Sequence, residues 1–190
     1  MARILFHLLA LQLVLLVTVS GLFTSSGVKH ATKYELQQKV ITLGSSYTVK
    51  DDHGKSVYKI GFKAIGLGKH LQLTDVGGQN EYYSIKHVLN PLGLAKYEIR
   101  KNNQVIADVK RKRNLIGGKK FNVKSKLGEF KIEGNFRSRE FKIKKDKHLV
   151  ATISKKFFAV GDKYGVKIEQ GQDVPFILAL AIVVDEVAHG

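Results

Sequence analysis

The chain contains no cysteine. That single absence excludes disulfides, thiol nucleophiles, cysteine-held zinc and thiolate-bound clusters, while leaving secretion open. Acidic residues are scarce too: 16 Asp+Glu stand against 32 Lys+Arg, a formal net charge of +16. Such an excess says nothing about fold but favours anionic partners. The seven histidines (His7, His30, His53, His70, His87, His148 and His189) include no pair at metal-ligand spacing, so no metal site is expected. A Gly-x-Ser-x-Gly nucleophile elbow is missing. The stretch Gly61-Phe62-Lys63-Ala64-Ile65-Gly66 has the outline of a phosphate-binding loop, but Leu67 follows where Lys and then Ser or Thr are required. Gly66-Leu67-Gly68 therefore reads as an ordinary turn. With no catalytic residues and no cofactor motif to assign, the chain reads as a non-enzyme.

What is present begins with Met1-Ala2-Arg3, a short basic start, followed by an apolar run from Ile4 to Phe23. Thr18-Val19-Ser20-Gly21 supplies small residues suited to signal-peptidase cleavage. Residues 1–23 thus read as a secretory signal peptide or, since the run approaches membrane-spanning length, as an uncleaved single-pass anchor. The first reading makes the protein secreted; the second holds it on the non-cytoplasmic side of a membrane. Residues 24–33 are small and polar and read as a linker. One domain, 34–190, follows.

From Tyr34 the hydrophobic period becomes two. Tyr47 and Val49, Tyr58 with Ile60 and Phe62, Leu71 and Leu73, and Tyr83 and Ile85 alternate with polar residues. Ala107 and Val109, Phe121 and Val123, Phe130 and Ile132, Phe141 and Ile143, and Leu149, Ala151 and Ile153 continue the pattern. Each run has one apolar face, and the count is about twelve strands. Between them Asp51-Asp52-His53-Gly54, Asp75-Val76-Gly77-Gly78, Lys101-Asn102-Asn103, Leu127-Gly128 and Lys145-Asp146-Lys147 are short turn clusters. Connections this short join antiparallel neighbours into a meander. Asn90-Pro91-Leu92-Gly93 divides the set in two.

The last element differs. Asp173 is an N-cap candidate, Pro175 suits a first helical turn, and Phe176 through Val184 is apolar at every position. A helix hydrophobic all round has to be surrounded, and this one is shorter than a bilayer requires. Twelve strands closed into a barrel would leave an apolar lumen, because about eight is the number that fills with its own side chains. The expected fold is therefore mainly β: an antiparallel closed barrel of about twelve strands enclosing a C-terminal helix at about 174–187. A sandwich with a membrane-dipping helix is the rival. Asp185-Glu186 would mark where the helix leaves the barrel, since adjacent helical residues point about 100° apart and make a poor acid/base pair.

Several segments resemble the LURP-one-related family. They are Gln38-Lys39-Val40-Ile41, Tyr47-Thr48-Val49-Lys50-Asp51-Asp52-His53-Gly54, Asp162-Lys163-Tyr164-Gly165-Val166-Lys167-Ile168, and the run from Phe176 to Glu186. The resemblance spans roughly Tyr34 to Val187. It implies the tubby C-terminal-like architecture, a twelve-stranded barrel around a hydrophobic helix, with phospholipid scramblases as distant relations. Tubby-like relatives are associated with phosphoinositides, whereas many relatives lack the N-terminal segment seen here.

Charge is the one feature that points to a ligand. Between Lys101 and Val160 lie 18 Lys+Arg against 5 Asp+Glu, most of the excess of the whole chain. The candidate binding residues are Lys110, Arg111, Lys112, Arg113, Lys119 and Lys120 on one hairpin, with Lys142, Lys144 and Lys145 on the next. Val105, Ala107 and Val109 face inward on the strand pattern, which would turn Lys110 and Lys112 outward. The expected partner is anionic phospholipid headgroups met by peripheral contact. The alternative is a secreted structural or interaction protein that binds a protein, a glycan or another polyanion. Nucleic acid ranks lowest, because Tyr83 alternates inward and Tyr82 alone is a weak stacking platform. A monomer is favoured.

Overall fold

The computed structural model of the chain describes residues 31–41, 44–63, 70–89, 95–112, 119–135, 137–154 and 163–189. The N-terminal segment 1–23, most of the linker, Gly66-Leu67-Gly68, Asn90-Pro91-Leu92-Gly93 and Arg113 lie outside the described residues.

Twelve strands appear in chain order: β1 (Thr32–Ile41), β2 (Gly44–Lys50), β3 (Ser56–Phe62), β4 (His70–Asp75), β5 (Glu81–Val88), β6 (Lys96–Lys101), β7 (Gln104–Arg111), β8 (Lys119–Ser125), β9 (Gly128–Asn135), β10 (Glu140–Lys145), β11 (His148–Ser154) and β12 (Lys163–Ile168). Among the described residues one helix, α1 (Val174–His189), follows the strands. Each strand pairs antiparallel with its sequence neighbours, and β1 pairs with both β2 and β12, so the meander closes into a barrel. Closure leaves no sheet edge unpaired. The expected twelve-stranded antiparallel barrel with a C-terminal helix is the observed fold. β1 starts at Thr32, so it takes two residues from the stretch read as linker.

The wall obeys the period of two. Val49, Ile60, Leu73, Ile85, Ile99, Val109, Ile132 and Ile143 point inward and are buried. The helix fills the space they enclose: Phe176 through Val184 are each at most 3 % exposed. Burying a Leu, Ile or Phe side chain contributes about 1.5–3 kcal/mol, so rod and wall stabilise each other. Asp173 caps the rod, with its Oδ1 accepting the Phe176 N–H at 3.0 Å. Its Oδ2 accepts the Tyr83 hydroxyl at 2.6 Å, which ties the cap to β5. Burial and the Asp173 carboxylate together raise the Tyr83 phenol well above its ordinary value.

The turns 51–55, 76–80, 102–103, 126–127 and 146–147 lie at the end of the barrel where α1 starts. The other end surrounds the helix C-terminus. Asn102 and Asn103 have φ of 49° and 63°, and Asp146 and Lys147 have 48° and 71°, the left-handed pair that a two-residue hairpin turn requires.

One expectation about side chains is corrected, and one is met. Alternation puts Leu149 inside with Ala151 and Ile153, but it is 43 % exposed, and Val150 is buried in its place. The cause is a bulge: Ile143 pairs with Ala151 while the next residue, Lys144, pairs with Leu149, so Val150 is the extra residue and reverses the alternation. Asp185 and Glu186 stand where the helix leaves the barrel, as expected: they are its last buried residues, and beyond them Val187 is half-buried and Ala188 exposed. The helix runs on to His189, and both carboxylates are buried, at 6 % and 7 % exposure.

Candidate anion-binding face

With the lumen occupied by α1, the outward-facing positions are where a ligand can be met. Strand register aligns them into rows. Lys96 on β6 pairs with Lys110 on β7, Lys110 with Asn122 on β8, Asn122 with Lys131 on β9, and Lys131 with Lys144 on β10. This row carries four lysines and no carboxylate. Neighbouring strands lie about 4.8 Å apart, so the row is about 19 Å long. It also runs obliquely: Lys96 begins β6, far from the turns, whereas Lys144 lies one residue from the end of β10 beside them. Strand stagger in a closed barrel produces this climb.

The flanking rows are mixed. Glu98, Asp108, Lys124 and Glu129 align on the turn side. On the other side Lys120 pairs with Glu133 and Glu133 with Lys142. Lys120 and Lys144 both reach Glu133, at 3.4 and 3.5 Å. Burial pushes the Glu133 carboxyl up, but the two ammonium groups outweigh it and hold it below the usual carboxylate range. Lys96 meets Asp108 at 3.3 Å. These pairs are partly solvent-exposed, and surface pairs of this kind are worth about 0–1 kcal/mol each, weak enough to yield to a ligand anion.

The predicted binding residues divide. Lys110, Lys112 and Lys142 are exposed, and Lys120 and Lys144 are half-exposed on the same outer face. Arg111 does not join them, because it pairs with Phe121 and shares the inward parity of Ala107 and Val109 at the barrel end. Lys145 is likewise displaced: it pairs with Phe130 and sets its ammonium 5.6 Å above that ring, at the turn end. Lys119 pairs with Gly134 at the start of β8. Lys96 and Lys131 escaped the reading from sequence, since neither sits in a basic run. Register alone brings them into line, and the only trace in the sequence is an outward position on an alternating strand.

Among the described residues no group of three His, Cys, Asp or Glu could hold a metal ion. No described helix is long and apolar enough to cross a membrane.

Comparison with known proteins places this geometry. The model of the LURP-one-related family matches residues 32–185. The uncharacterized protein YxjI of Bacillus subtilis (strain 168) is 29 % identical over 154 residues, covering 81 % of this chain and 92 % of that protein. An X-ray structure of a protein from Arabidopsis thaliana superposes with a TM-score of 0.60 at 18 % identity, covering 84 % of this chain and 92 % of the other. The last likeness concerns the fold alone.

Proposed function

The chain belongs to the LURP-one-related family, and we propose that it is a non-enzymatic binding module whose basic outer face takes anionic phospholipid headgroups. The observation that carries this reading is the row Lys96, Lys110, Lys131 and Lys144, flanked by exposed Lys112 and Lys142. Lysines near an anionic membrane contribute about 1 kcal/mol each, so several acting together give useful, salt-sensitive binding. The barrel closes on itself between Thr32 and Ile168 and holds its own helix, so the protein from Thr24 onward carries its whole core. Flotation of that protein with phosphatidylcholine vesicles, with and without phosphatidylserine, is the test. Recovery that depends on phosphatidylserine and declines with salt is expected; equal recovery with both vesicle types ends the proposal.

One observation favours a second reading. Twelve strands share a full turn, so outward directions diverge by about 30° per strand, and Lys96 and Lys144 point about 120° apart. A flat bilayer meets only part of the row, whereas a flexible polyanion, such as an acidic glycan in a secreted setting, follows all of it. Retention on heparin resin combined with no vesicle binding would favour this reading over the first.

A further inference from the structure

Resting on the phospholipid reading, we infer that the barrel docks end-on at a tilt. The turns β6–β7, β8–β9 and β10–β11 form the contact, and Leu127 and Leu149 enter the headgroup–acyl boundary. A convex barrel can meet a plane over a limited area only, so the question is which area pairs exposed apolar groups with positive charge.

The turn end divides cleanly by charge. Its β2–β3 and β4–β5 turns, with the residues that bound them, carry Asp51, Asp52, Asp75 and Glu81 against Lys50 and Lys55. Its other three turns, with the residues that bound them, carry Lys101, Lys126, Lys145 and Lys147 against Asp146 alone; Glu129 lies on the adjoining strand. On this basic half sit two of the large exposed hydrophobics of the described residues. Leu127 is 38 % exposed at the tip of the β8–β9 turn, and Leu149 is 43 % exposed where the β10–β11 bulge has turned it outward. The two turns are in contact: Asp146 N–H donates to the Glu129 carbonyl at 3.2 Å, and a Cβ added at Gly128 would lie 2.8 Å from Lys145 Cε. Apolar side chains flanked by lysines suit the interface between headgroups and acyl chains, where lysine stems snorkel toward phosphate.

Two further observations agree. Lys147 has φ of 71° in a turn position where glycine is the unstrained residue, so the turn carries a cation at a cost in backbone strain. The chain also joins the barrel at this end, because Thr32 pairs with Ile168, the last residue of β12. Eight residues, 24–31, separate Thr32 from the apolar run ending at Phe23, a reach of at most about 29 Å. An uncleaved anchor would tether the barrel to the membrane by this end.

The chain has no tryptophan, so a single introduced indole reports without background. Leu127→Trp, Leu149→Trp and Leu89→Trp should be made in the protein from Thr24 onward, with folding checked by circular dichroism. Leu89 is the control, 78 % exposed just after β5 at the opposite end. With phosphatidylcholine–phosphatidylserine vesicles, emission from the indoles introduced at positions 127 and 149 should shift to the blue and be quenched by brominated acyl chains, while the indole at position 89 should not respond. Reversing Lys126 and Lys147 to Glu together should lower vesicle partitioning about tenfold or more. If vesicles bind and only position 89 responds, the opposite end docks. If they bind and no position responds, contact is through headgroups alone; either result overturns the inference and leaves the phospholipid reading standing. If neither the parent protein nor any variant binds, the phospholipid reading falls and this inference with it.

Discussion

The hydroxyl of Tyr47 on β2 lies 2.8 Å from Asp185 Oδ2 on α1, across 138 residues of chain. It also lies 3.0 Å from Glu186 Oε1, so one phenol is shared by two buried carboxylates. The contact joins the wall to the C-terminal turn of the rod, as Tyr83 and Asp173 join them at the N-terminal end. The apolar rod is therefore held at each end by a tyrosine from the wall. Close packing of the rod against the wall fixes its position, and these two polar contacts add a defined depth at each end.

Tyr47→Phe should keep the fold and lower stability by about 1–3 kcal/mol, the cost of depriving buried acceptors of a donor. Urea unfolding followed by circular dichroism would show it as a lower midpoint at an unchanged slope. A midpoint equal to the parent's would mean that the contact does not position the helix.

Much of this architecture can be read in the sequence because its signals are local and redundant. Alternation at Tyr47 and Val49, or at Phe141 and Ile143, names an inward face without knowledge of the neighbouring strand. The turn clusters at Asn102-Asn103 and Asp146-Lys147 carry residues that tolerate positive φ. What escapes depends on pairing between strands. Leu149 is misplaced because a bulge is a property of two strands, and the Tyr47 partner of Asp185-Glu186 goes unseen because it is remote in sequence. The proposed binding face suffers likewise: a basic run such as Lys110-Arg111-Lys112 looks continuous along the chain, yet the pleat sends Arg111 to the other side. Lys131, solitary in sequence, joins the row through register.

The centre of the rod gives a second expectation. Leu180 is fully buried among the inward side chains of the wall. Leu180→Ala should cost about 2–5 kcal/mol, because a closed wall has little freedom to collapse onto the vacated volume. Denaturant unfolding measures this directly, and a loss below about 1 kcal/mol would show that the helix is not clasped on all sides.

Two strand glycines should respond oppositely to the same substitution. A Cβ at Gly134 would stand 2.2 Å from the Glu140 carbonyl oxygen and 2.5 Å from Phe141 Cδ1, distances that backbone and ring must move to relieve. Gly134→Ala should therefore destabilise by about 1–3 kcal/mol or more. At Gly61 nothing lies within 4 Å, and its φ is outside the left-handed region, so Gly61→Ala should be neutral or slightly stabilising. Thermal melts of the two variants side by side would separate them.

High pH should weaken the fold through its buried tyrosines. Burial, aided by the nearby Glu186 carboxylate, pushes the Tyr97 phenol from 10.0 up to about 12. The raised folded value means that stability is fully present below pH 10 and lost as pH climbs toward the folded pKa, since the unfolded chain releases its proton first. The slope is about 1.4 kcal/mol per pH unit for each such tyrosine. Urea midpoints measured between pH 9 and pH 12, values bracketing that window, should decline more steeply in the parent than in Tyr97→Phe. Parallel declines would place the alkaline loss elsewhere.

The strained lysine at 147 makes stability and binding separable. With φ of 71° it occupies a conformation that costs a side-chain-bearing residue about 1 kcal/mol and costs glycine nothing. Lys147→Gly should therefore raise stability by about that amount in urea unfolding. The same change removes a cation from the basic half of the turn end, so partitioning into phosphatidylserine-containing vesicles should weaken about fivefold at low salt. A variant more stable than the parent cannot have lost binding through unfolding, so the two measurements together assign the lysine's role. If stability rises and partitioning is unchanged, Lys147 takes no part in docking, and the strain in its turn serves some other purpose.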